Sequence, residues 1–331
     1  MTVSLTNPGP ELSGILPSKA NGQASDMSHG DVILDIAVST LRALDYSQSN
    51  SPWHDPMVKQ AAAEEIQSWD LGGAVSGAMK CLGTATNLAE LSYPAHNFDL
   101  KVLISICIAV AIWIDNVADS LLDELSEFQR RFYSRLPQLH PILDRFAENL
   151  LKLYDHYEAH AANAMILSMC VFMDANCLEM RALSQHETAK RGAELWPYYL
   201  RSQSGIATFL SFACFPAQDH PDHMRYIQAI PEMLVFSDHI NDVISFYKEE
   251  MDGEQHNYIQ MMSRISGFEP LDVLRDTSQK AVSTAKRADA ILADSPAALK
   301  AFKEYERGFI RYHLESARYR LPETWKVQFV N

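Results

Sequence analysis

The chain has 331 residues, 47% of them hydrophobic, and its formal net charge is −14 at pH 7. This length and apolar content suffice for one large hydrophobic core or two smaller ones. The acidic balance argues against general nucleic-acid binding, which requires a basic surface. It does not argue against a phosphorylated substrate, because an acidic site that holds divalent cations presents positive charge to phosphate.

The N-terminal segment differs in composition from the rest of the chain. Residues 1–30 are rich in Ser, Gly, Asn and Pro and show no apolar periodicity, so we expect a disordered leader. It lacks the basic start and apolar core of a secretion signal. The most apolar run, Val102 to Ile114, is shorter than the about 20 residues that a membrane span needs. Because the five cysteines also form no CxxC pair, we predict a cytoplasmic protein with reduced, buried thiols.

From Asp31 onward, the sequence predicts helices separated by short breaks. Apolar residues recur at helical spacing, and no segment shows the alternation of a half-buried strand. Glycine and proline number only 13 and 15, which favours long helices. The predicted helices cover about 31–44, 55–69, 73–91, 99–121, 124–135, 139–156, 158–184, 190–214, 222–250, 255–266, 270–293 and 296–320. The prediction is one all-α domain over residues 31–331.

The first candidate site is an acidic stretch that directly follows the apolar run. In WIDNVADSLLDE, Asp115, Asp119 and Asp123 recur every four residues, a spacing that places side chains on one face of a helix. Carboxylates at that spacing repel each other unless a cation lies between them, and Mg²⁺ prefers such oxygen ligands. The alternative is a solvated acidic helix end.

The second candidate site lies at the end of another apolar helix, in NDVISFYKEE. Asn241, Ser245 and Glu249 again follow at steps of four, so an amide oxygen, a hydroxyl and a carboxylate share one face. These are three oxygen donors of the kind that bind Mg²⁺, and Lys248 could contact a phosphate oxygen as a point charge. The alternative is an ordinary C-terminal turn in which Asn and Ser bond locally.

A third motif, ESARYRLPE, contains Arg318 and Tyr319 just before a proline. An arginine can bind a diphosphate through a bidentate fork. A helix-terminal arginine that interacts with the helix dipole is the alternative, and for this motif alone it is the better explanation.

In combination, the three motifs resemble those of the class I terpene cyclases, and within them the trichodiene synthase-like sesquiterpene cyclases of fungi. The resemblance covers about residues 70–325. It implies a helical bundle around a central active-site cavity. It also implies that Asp115 and Asp119 bind magnesium from one side of that cavity, and Asn241, Ser245 and Glu249 from another.

The resemblance also implies roles for the basic residues. Lys248, Arg318 and Tyr319 match residues that bind the diphosphate. Arg201, four residues before Gly205 in YLRSQSG, looks like the arginine that senses diphosphate near a helix break. Asp115, Arg318 and Tyr319 are therefore the predicted catalytic residues.

Two positions depart from the family pattern. Asn116 follows Asp115 where the family has consecutive aspartates, and Ser316 stands where an acidic residue precedes the arginine–tyrosine pair. Asn116 places the affinity of the site for metal in question. Ser316 places in question the hydrogen bonding around the bound diphosphate.

The implied reaction begins with ionisation of an isoprenyl diphosphate, with farnesyl diphosphate favoured by the family. Three Mg²⁺ ions and the basic side chains would stabilise the leaving diphosphate, and a dry apolar cavity would then fold and protect the cation. Aromatic faces can stabilise such a cation. The candidate lining residues are Trp113, Phe209, Phe212, Phe236 and Tyr312. Tyr312 is the best placed, and core packing is the alternative for each.

Other functions are compatible with parts of the sequence. A chain-elongating prenyl synthase generally carries two Asp-rich motifs, and the Asn/Ser/Glu triad argues against it. Two alternatives stay open: a cyclase-like enzyme in which an amine or another nucleophile captures the prenyl cation, and a non-catalytic helical scaffold. We expect no nucleic-acid partner and no membrane span, and a homodimer is left open.

Overall fold

The computed structural model describes residues 28–48, 55–184, 190 and 192–326, and these residues form helices without a β-strand. The prediction of an all-α fold is confirmed. The helices are α1 (His29–Ala43), α2 (Pro56–Ser68), α3 (Ser76–Ser92), α4 (Phe98–Val117), α5 (Leu122–Tyr133), α6 (Pro141–Leu151), α7 (Ala159–Ser184), α8 (Trp196–Ser204), α9 (Ala207–Ala213), α10 (Ile230–Met251), α11 (Tyr258–Ser266), α12 (Pro270–Leu292), α13 (Pro296–Glu315) and α14 (Glu323–Lys326).

Local sequence signals account for where many of these helices begin. Asn97 and Asn257 cap α4 and α11 by accepting a hydrogen bond from the backbone N–H three residues later. A proline lies in the first turn of α2, α6, α8, α10, α12 and α13, where its missing N–H leaves no helical hydrogen bond unmade.

The predicted leader falls mostly on residues 1–27, which lie outside the described residues. Its last three residues belong to the first helix. Ser28 caps α1 in a capping box with Asp31, and His29 and Gly30 form the first turn. The imidazole Nε2 of His29 lies 3.2 Å from Glu250 Oε1 on α10, so this helix start is tied to the rest of the fold.

The core surrounds α4, whose residues from Leu103 to Ile114 are almost all buried. This helix packs against α2, α3 and α6, while α3 also packs against α13, and α10 packs against α9 and α12. The stretches Phe98–Ser120 and Ala159–Ser184 are long and apolar enough to cross a membrane by length and composition alone. Most of each is buried inside the protein, so core packing accounts for their apolar character. All five cysteines are free and buried, as predicted.

Several predicted helices differ from the observed ones. The helix predicted over 190–214 is interrupted at Gly205–Ile206, between α8 and α9. The helix predicted from 222 begins only at Ile230, because Pro231 fits the first turn of a helix and not its interior. The last long helix ends at Glu315 because Ser316 adopts an extended backbone.

Candidate active site

A cavity of about 220 Å³ lies between α3, α4, α7, α8, α9, α10 and α13. Its apolar wall is formed by Leu88, Ile108, Ala111, Ile112, Phe172, Ile206, Leu210 and Phe309. Its polar wall contains most of the residues that the motifs singled out, which are Asp115, Arg201, Asn241, Ser245, Lys248, Glu249, Tyr312, Arg318 and Tyr319. Side chains from distant parts of the sequence thus meet around one space.

Helix α10 presents Asn241, Ser245, Lys248 and Glu249 to this cavity. Their spacing places them on adjoining turns of one helix face. Burial raises the pKa of Glu249 from 4.5 to about 7, and the hydroxyl of Ser245 and the charge of Lys248 oppose that rise. A carboxylate with so little water around it favours binding a cation over remaining unpaired.

The end of α4 places Asp115 on the wall of the same cavity. Arg318 lies beside it, with Nη2 3.6 Å from Asp115 Oδ2, and both side chains are nearly half exposed. Asp119 and Asp123 do not share this position. Helix α4 ends at Val117, residues 118–120 form a 3₁₀ turn, and α5 then begins anew, so the expectation that the three aspartates share one helix face is wrong. Neither Asp119 nor Asp123 lines the cavity.

Arg201, at the end of α8, is held against α10. Its Nε donates to Asp242 Oδ1 at 2.6 Å, and its Nη1 lies 3.1 Å from Asp238 Oδ1. Its Nη2 donates to the backbone oxygen of Asp238 at 2.9 Å and to Asn241 Oδ1 at 3.0 Å. Burial raises the pKa of Asp238 to about 6, and the charge of Arg201 opposes that rise. The arginine therefore lies at the cavity wall with its orientation fixed by α10.

A second set of hydrogen bonds orients the amide of Asn241. Its Nδ2 donates to His313 Nε2 at 2.9 Å and to the hydroxyl of Tyr319 at 3.3 Å. His313 Nδ1 in turn donates to the backbone oxygen of Phe309 at 2.6 Å. Burial lowers the pKa of His313 to about 4, so its ring is neutral and its Nε2 can accept. The amide oxygen consequently faces Arg201 and the cavity.

The helix break between α8 and α9 adds a strained residue to the wall. Ile206 has a φ of 45°, in the left-handed region. A β-branched residue seldom adopts this conformation, which costs about 1–3 kcal/mol unless the surrounding structure imposes it. The break turns the chain so that Ile206 and Leu210 both reach the cavity.

Four of the five predicted aromatic lining residues lie elsewhere. Trp113 does not line the cavity. Its ring lies so close to Gly77 that a Cβ there would be 2.4 Å from Trp113 Cδ1, and it makes a tilted contact with the ring of His140. Three further candidates are buried in the core and do not line the cavity: Phe209, Phe212 and Phe236. Tyr312 does line it.

Similarity to known proteins identifies the family of this chain. The family model described as Trichodiene synthase (TRI5) matches residues 75–328. The chain belongs to this family. It is accordingly a class I terpene cyclase, a carbon–oxygen lyase that acts on a prenyl diphosphate. This excludes the non-catalytic scaffold.

Individual relatives and solved structures agree with that assignment. Terpene synthase BipA of Cochliobolus sativus is 32% identical over 246 residues, covering 74% of this chain and 75% of that protein. Longiborneol synthase CLM1 of Gibberella zeae is 29% identical over 242 residues, covering 71% and 70%. The linalool/nerolidol synthase of Streptomyces clavuligerus shares the fold, with a TM-score of 0.60 at 12% identity over 81% of this chain and 99% of that one. The same synthase in complex with 2-fluorogeranyl diphosphate gives a TM-score of 0.55 at 12% identity, over 82% and 99%.

The two departures from the family pattern have local explanations in this member. The amide Nδ2 of Asn116 lies 3.7 Å from Cys81 Sγ, and the residue does not line the cavity. Ser316 accepts a hydrogen bond from the backbone N–H of Arg318 at 3.4 Å and so caps the 3₁₀ turn that carries Arg318 and Tyr319. Neither Asn116 nor Ser316 lines the cavity.

Several wall residues escaped the motif-based predictions. Ile108, Ala111 and Ile112 lie one or two turns before Asp115 on α4, so helical spacing could have identified them. His313 and Phe172 carry no such signal, because their place at the cavity depends on how α13 and α7 pack against α10 and α4.

Proposed function

We propose that this enzyme ionises farnesyl diphosphate with Mg²⁺ as its cofactor and cyclises the cation to a sesquiterpene. The supporting observation is that one cavity has a polar wall and an apolar wall. Oxygen donors lie on α10 and at the end of α4, and cationic groups lie on α8, on α10 and in the 3₁₀ turn after α13. Apolar side chains occupy the turns that precede Asp115 on α4. Such a division suits a substrate with a diphosphate at one end and a hydrocarbon chain at the other.

The residues around the diphosphate end suit magnesium. Asp115 and Glu249 supply carboxylate oxygens, Asn241 an amide oxygen and Ser245 a hydroxyl, all on the wall of one cavity. Hard divalent cations prefer such ligands. Among the described residues, no three His, Cys, Asp or Glu side chains are grouped as a metal site, so the amide and hydroxyl donors are needed alongside the carboxylates. Bound there, magnesium would supply positive charge to the diphosphate.

The protein's own side chains would then carry out the remaining tasks. Arg201, Lys248 and Arg318 stabilise the negative charge that the diphosphate gains when the allylic C–O bond breaks and its electron pair leaves with the oxygen. The apolar wall excludes water and folds the hydrocarbon so that a double bond attacks the cation. Proton loss from the cyclised cation completes the reaction. Capture by an amine would leave a nitrogen-containing product instead.

The substrate is tested with purified full-length protein and geranyl, farnesyl or geranylgeranyl diphosphate, each with and without Mg²⁺. We expect the fastest diphosphate release from farnesyl diphosphate, only with the metal present, and cyclic C15 hydrocarbons in the solvent extract. Faster turnover of another chain length would contradict the farnesyl assignment, and metal-independent release would contradict the magnesium site.

The magnesium site is tested by Glu249→Gln, with Glu250→Gln as a matched control on the same helix. Glu250 lies outside the cavity and contacts His29 and Gln260 instead. We expect Glu249→Gln to lower diphosphate release by at least about 100-fold, because one removed transition-state interaction can cost that much. Its melting temperature should not fall, because burial already disfavours the charged form of Glu249. Equal activity in the two variants would remove Glu249 from the mechanism.

A further inference from the structure

Asp238 is a buried carboxylate that the proposed mechanism does not use. It lies one turn before Asp242 on α10, its side chain is only 1% exposed, and it does not line the cavity. Within the described part of the chain, no donor makes a well-aligned hydrogen bond to either carboxylate oxygen, and the cation that contacts it is Arg201, 3.1 Å from Oδ1. Any effect of Asp238 on a bound substrate must therefore act through Arg201.

The pairing of one arginine with two buried acids is hard to explain by stability. Removing a charged pair from water carries a large desolvation cost, and the net contribution of the pair to folding is often near zero or unfavourable. Geometry explains it better. Asp242 contacts the Nε edge of the guanidinium and Asp238 contacts Nη1, so the planar group is held at two separate edges. Nη2 is held by the backbone oxygen of Asp238 and by Asn241 Oδ1, so the Asp238 carboxylate is the contact that fixes the Nη1 end of the group.

The backbone at the helix break is shaped to fit this pair. A Cβ at Gly205 would lie 2.1 Å from Arg201 Nη1 and 2.5 Å from Asp238 Oδ1. Real Cβ atoms essentially never approach so closely, so the ion pair fills the space that the glycine leaves open. The end of α8, the break and α10 therefore meet at the contact between Arg201 and Asp238.

We propose that Asp238 is a positioning residue, which fixes the guanidinium of Arg201 beside Asn241 at the cavity wall. This inference rests on the proposed function of the same site. Its consequence is that a neutral residue at 238 impairs the ionisation step without contacting the substrate, because the Nη1 end of Arg201 then loses its charged partner and the guanidinium shifts from its place at the cavity wall.

The first test measures steady-state kinetics and melting temperature for Asp238→Asn. We expect kcat to fall on the order of 100-fold, as a displacement of about 1 Å can cause, with KM nearly unchanged, because the charge that Arg201 meets grows in the transition state. The matched control is Glu306→Gln on α13, a buried carboxylate that pairs with Lys303 away from the cavity. We expect this control to keep its kcat. An unchanged kcat in Asp238→Asn, or equal losses in both variants, would overturn the inference.

The second test asks whether Asp238 acts through Arg201. We expect Arg201→Gln to lower kcat strongly, and Asp238→Asn added to it to cause no further loss. Multiplied losses in the double variant would show that the two act independently and would overturn the inference. Because Arg201→Gln leaves two buried acids uncompensated, it is expected to lower the melting temperature, and Asp238→Asn should recover part of that loss.

A third variant tests the geometry without changing any charge. Gly205→Ala should displace the contact between Arg201 and Asp238 and lower kcat as Asp238→Asn does, even if Arg201→Gln fails to fold. Full activity in Gly205→Ala would show that this contact is not needed.

If the wild-type enzyme releases no diphosphate from any prenyl diphosphate, the proposed function fails. If the wild type is active and Asp238→Asn is equally active, only the present inference fails.

Discussion

Phe172 and Phe209 are both buried aromatic residues, yet they have different surroundings. Phe172 on α7 lines the cavity, whereas Phe209 on α9 is enclosed by the core. We expect Phe172→Leu to change the ratio of terpene products, because the contour that folds the cation changes. Phe209→Leu should leave that ratio unaltered. Both should lose about 1–2 kcal/mol of stability, as expected for removing part of a buried aromatic ring. Gas chromatography of the products and denaturant unfolding would check both outcomes. A changed ratio in Phe209→Leu alone would contradict the assigned wall.

Sequence predicts the polar residues of the cavity better than the aromatic ones. The motif of α10 combines an amide, a hydroxyl and a carboxylate at helical spacing, and the structure places all three on the cavity wall: Asn241, Ser245 and Glu249. Trp113 and Ile112 are neighbours on α4, but only Ile112 reaches the cavity. One residue along a helix turns a side chain by about 100°, and apolar residues surround α4 on all sides, so its pattern does not indicate which face meets the cavity.

The crossing of α3 and α13 depends on Gly308. A Cβ at this position would lie 1.8 Å from the backbone oxygen of Leu91, and a backbone cannot move aside as a flexible side chain can. We expect Gly308→Ala to cost about 1–3 kcal/mol, as overpacking does, and to lower activity, because Tyr312 and His313 follow on the same helix. Chemical denaturation and product assays would measure both effects.

Gly83 on α3 provides the control for that substitution. A Cβ there would meet only the end of the Lys59 side chain, at 3.4 Å from Nζ. Alanine is favoured over glycine inside a helix, so Gly83→Ala should be neutral or stabilising by up to about 1 kcal/mol. Equal losses in the two variants would show that the close approach of α3 and α13 does not determine the result, because helix propensity favours alanine at both positions.

At the scale of elements, the helices were predictable and their interruptions less so. Periodicity continues across Gly205 and Ile206, since Leu200, Ala207 and Leu210 keep a helical pattern, yet Ile206 adopts a left-handed backbone there. A glycine within a helical pattern is usually tolerated, so periodicity alone does not predict this break, and only the resemblance of YLRSQSG to the family implied it. The arrangement of α8, α9 and α10 around Arg201 supplies the interactions that maintain it.

For the whole molecule, composition and periodicity suffice to predict an all-α domain, but not the cavity. Seven helices contribute to its wall, from Leu88 on α3 to His313 on α13. Their meeting is a matter of tertiary packing, which short-range patterns do not encode. The resemblance to a family supplied part of this information, because it linked three motifs that are spread from Asp115 to Tyr319 before any contact between them was known.

The pH dependence of global stability can be traced in part to His96. Its Nε2 donates to the backbone oxygen of Ala213 at 2.7 Å, and its ring stacks on Tyr93. Burial lowers its pKa from 6.5 to about 4, and the charge of Lys101 acts in the same direction, while the Ala213 carbonyl and Asp219 oppose it. Between pH 6.5 and 4, the unfolded state therefore binds more protons at this residue than the folded state does.

It follows that stability is lost as the pH falls through that range and is retained above it. The loss from His96 reaches about 3 kcal/mol once the pH is below both pKa values, at 1.36 kcal/mol per pKa unit. His96→Gln keeps an N–H donor but cannot take up the proton. The unfolding free energy of the wild type minus that of His96→Gln should therefore decrease as the pH is lowered from 7 to 4. Urea titrations of both proteins at several pH values would measure this difference in unfolding free energy. A difference that stays constant with pH would mean that His96 is solvated well enough in the folded protein to protonate as it does in the unfolded chain.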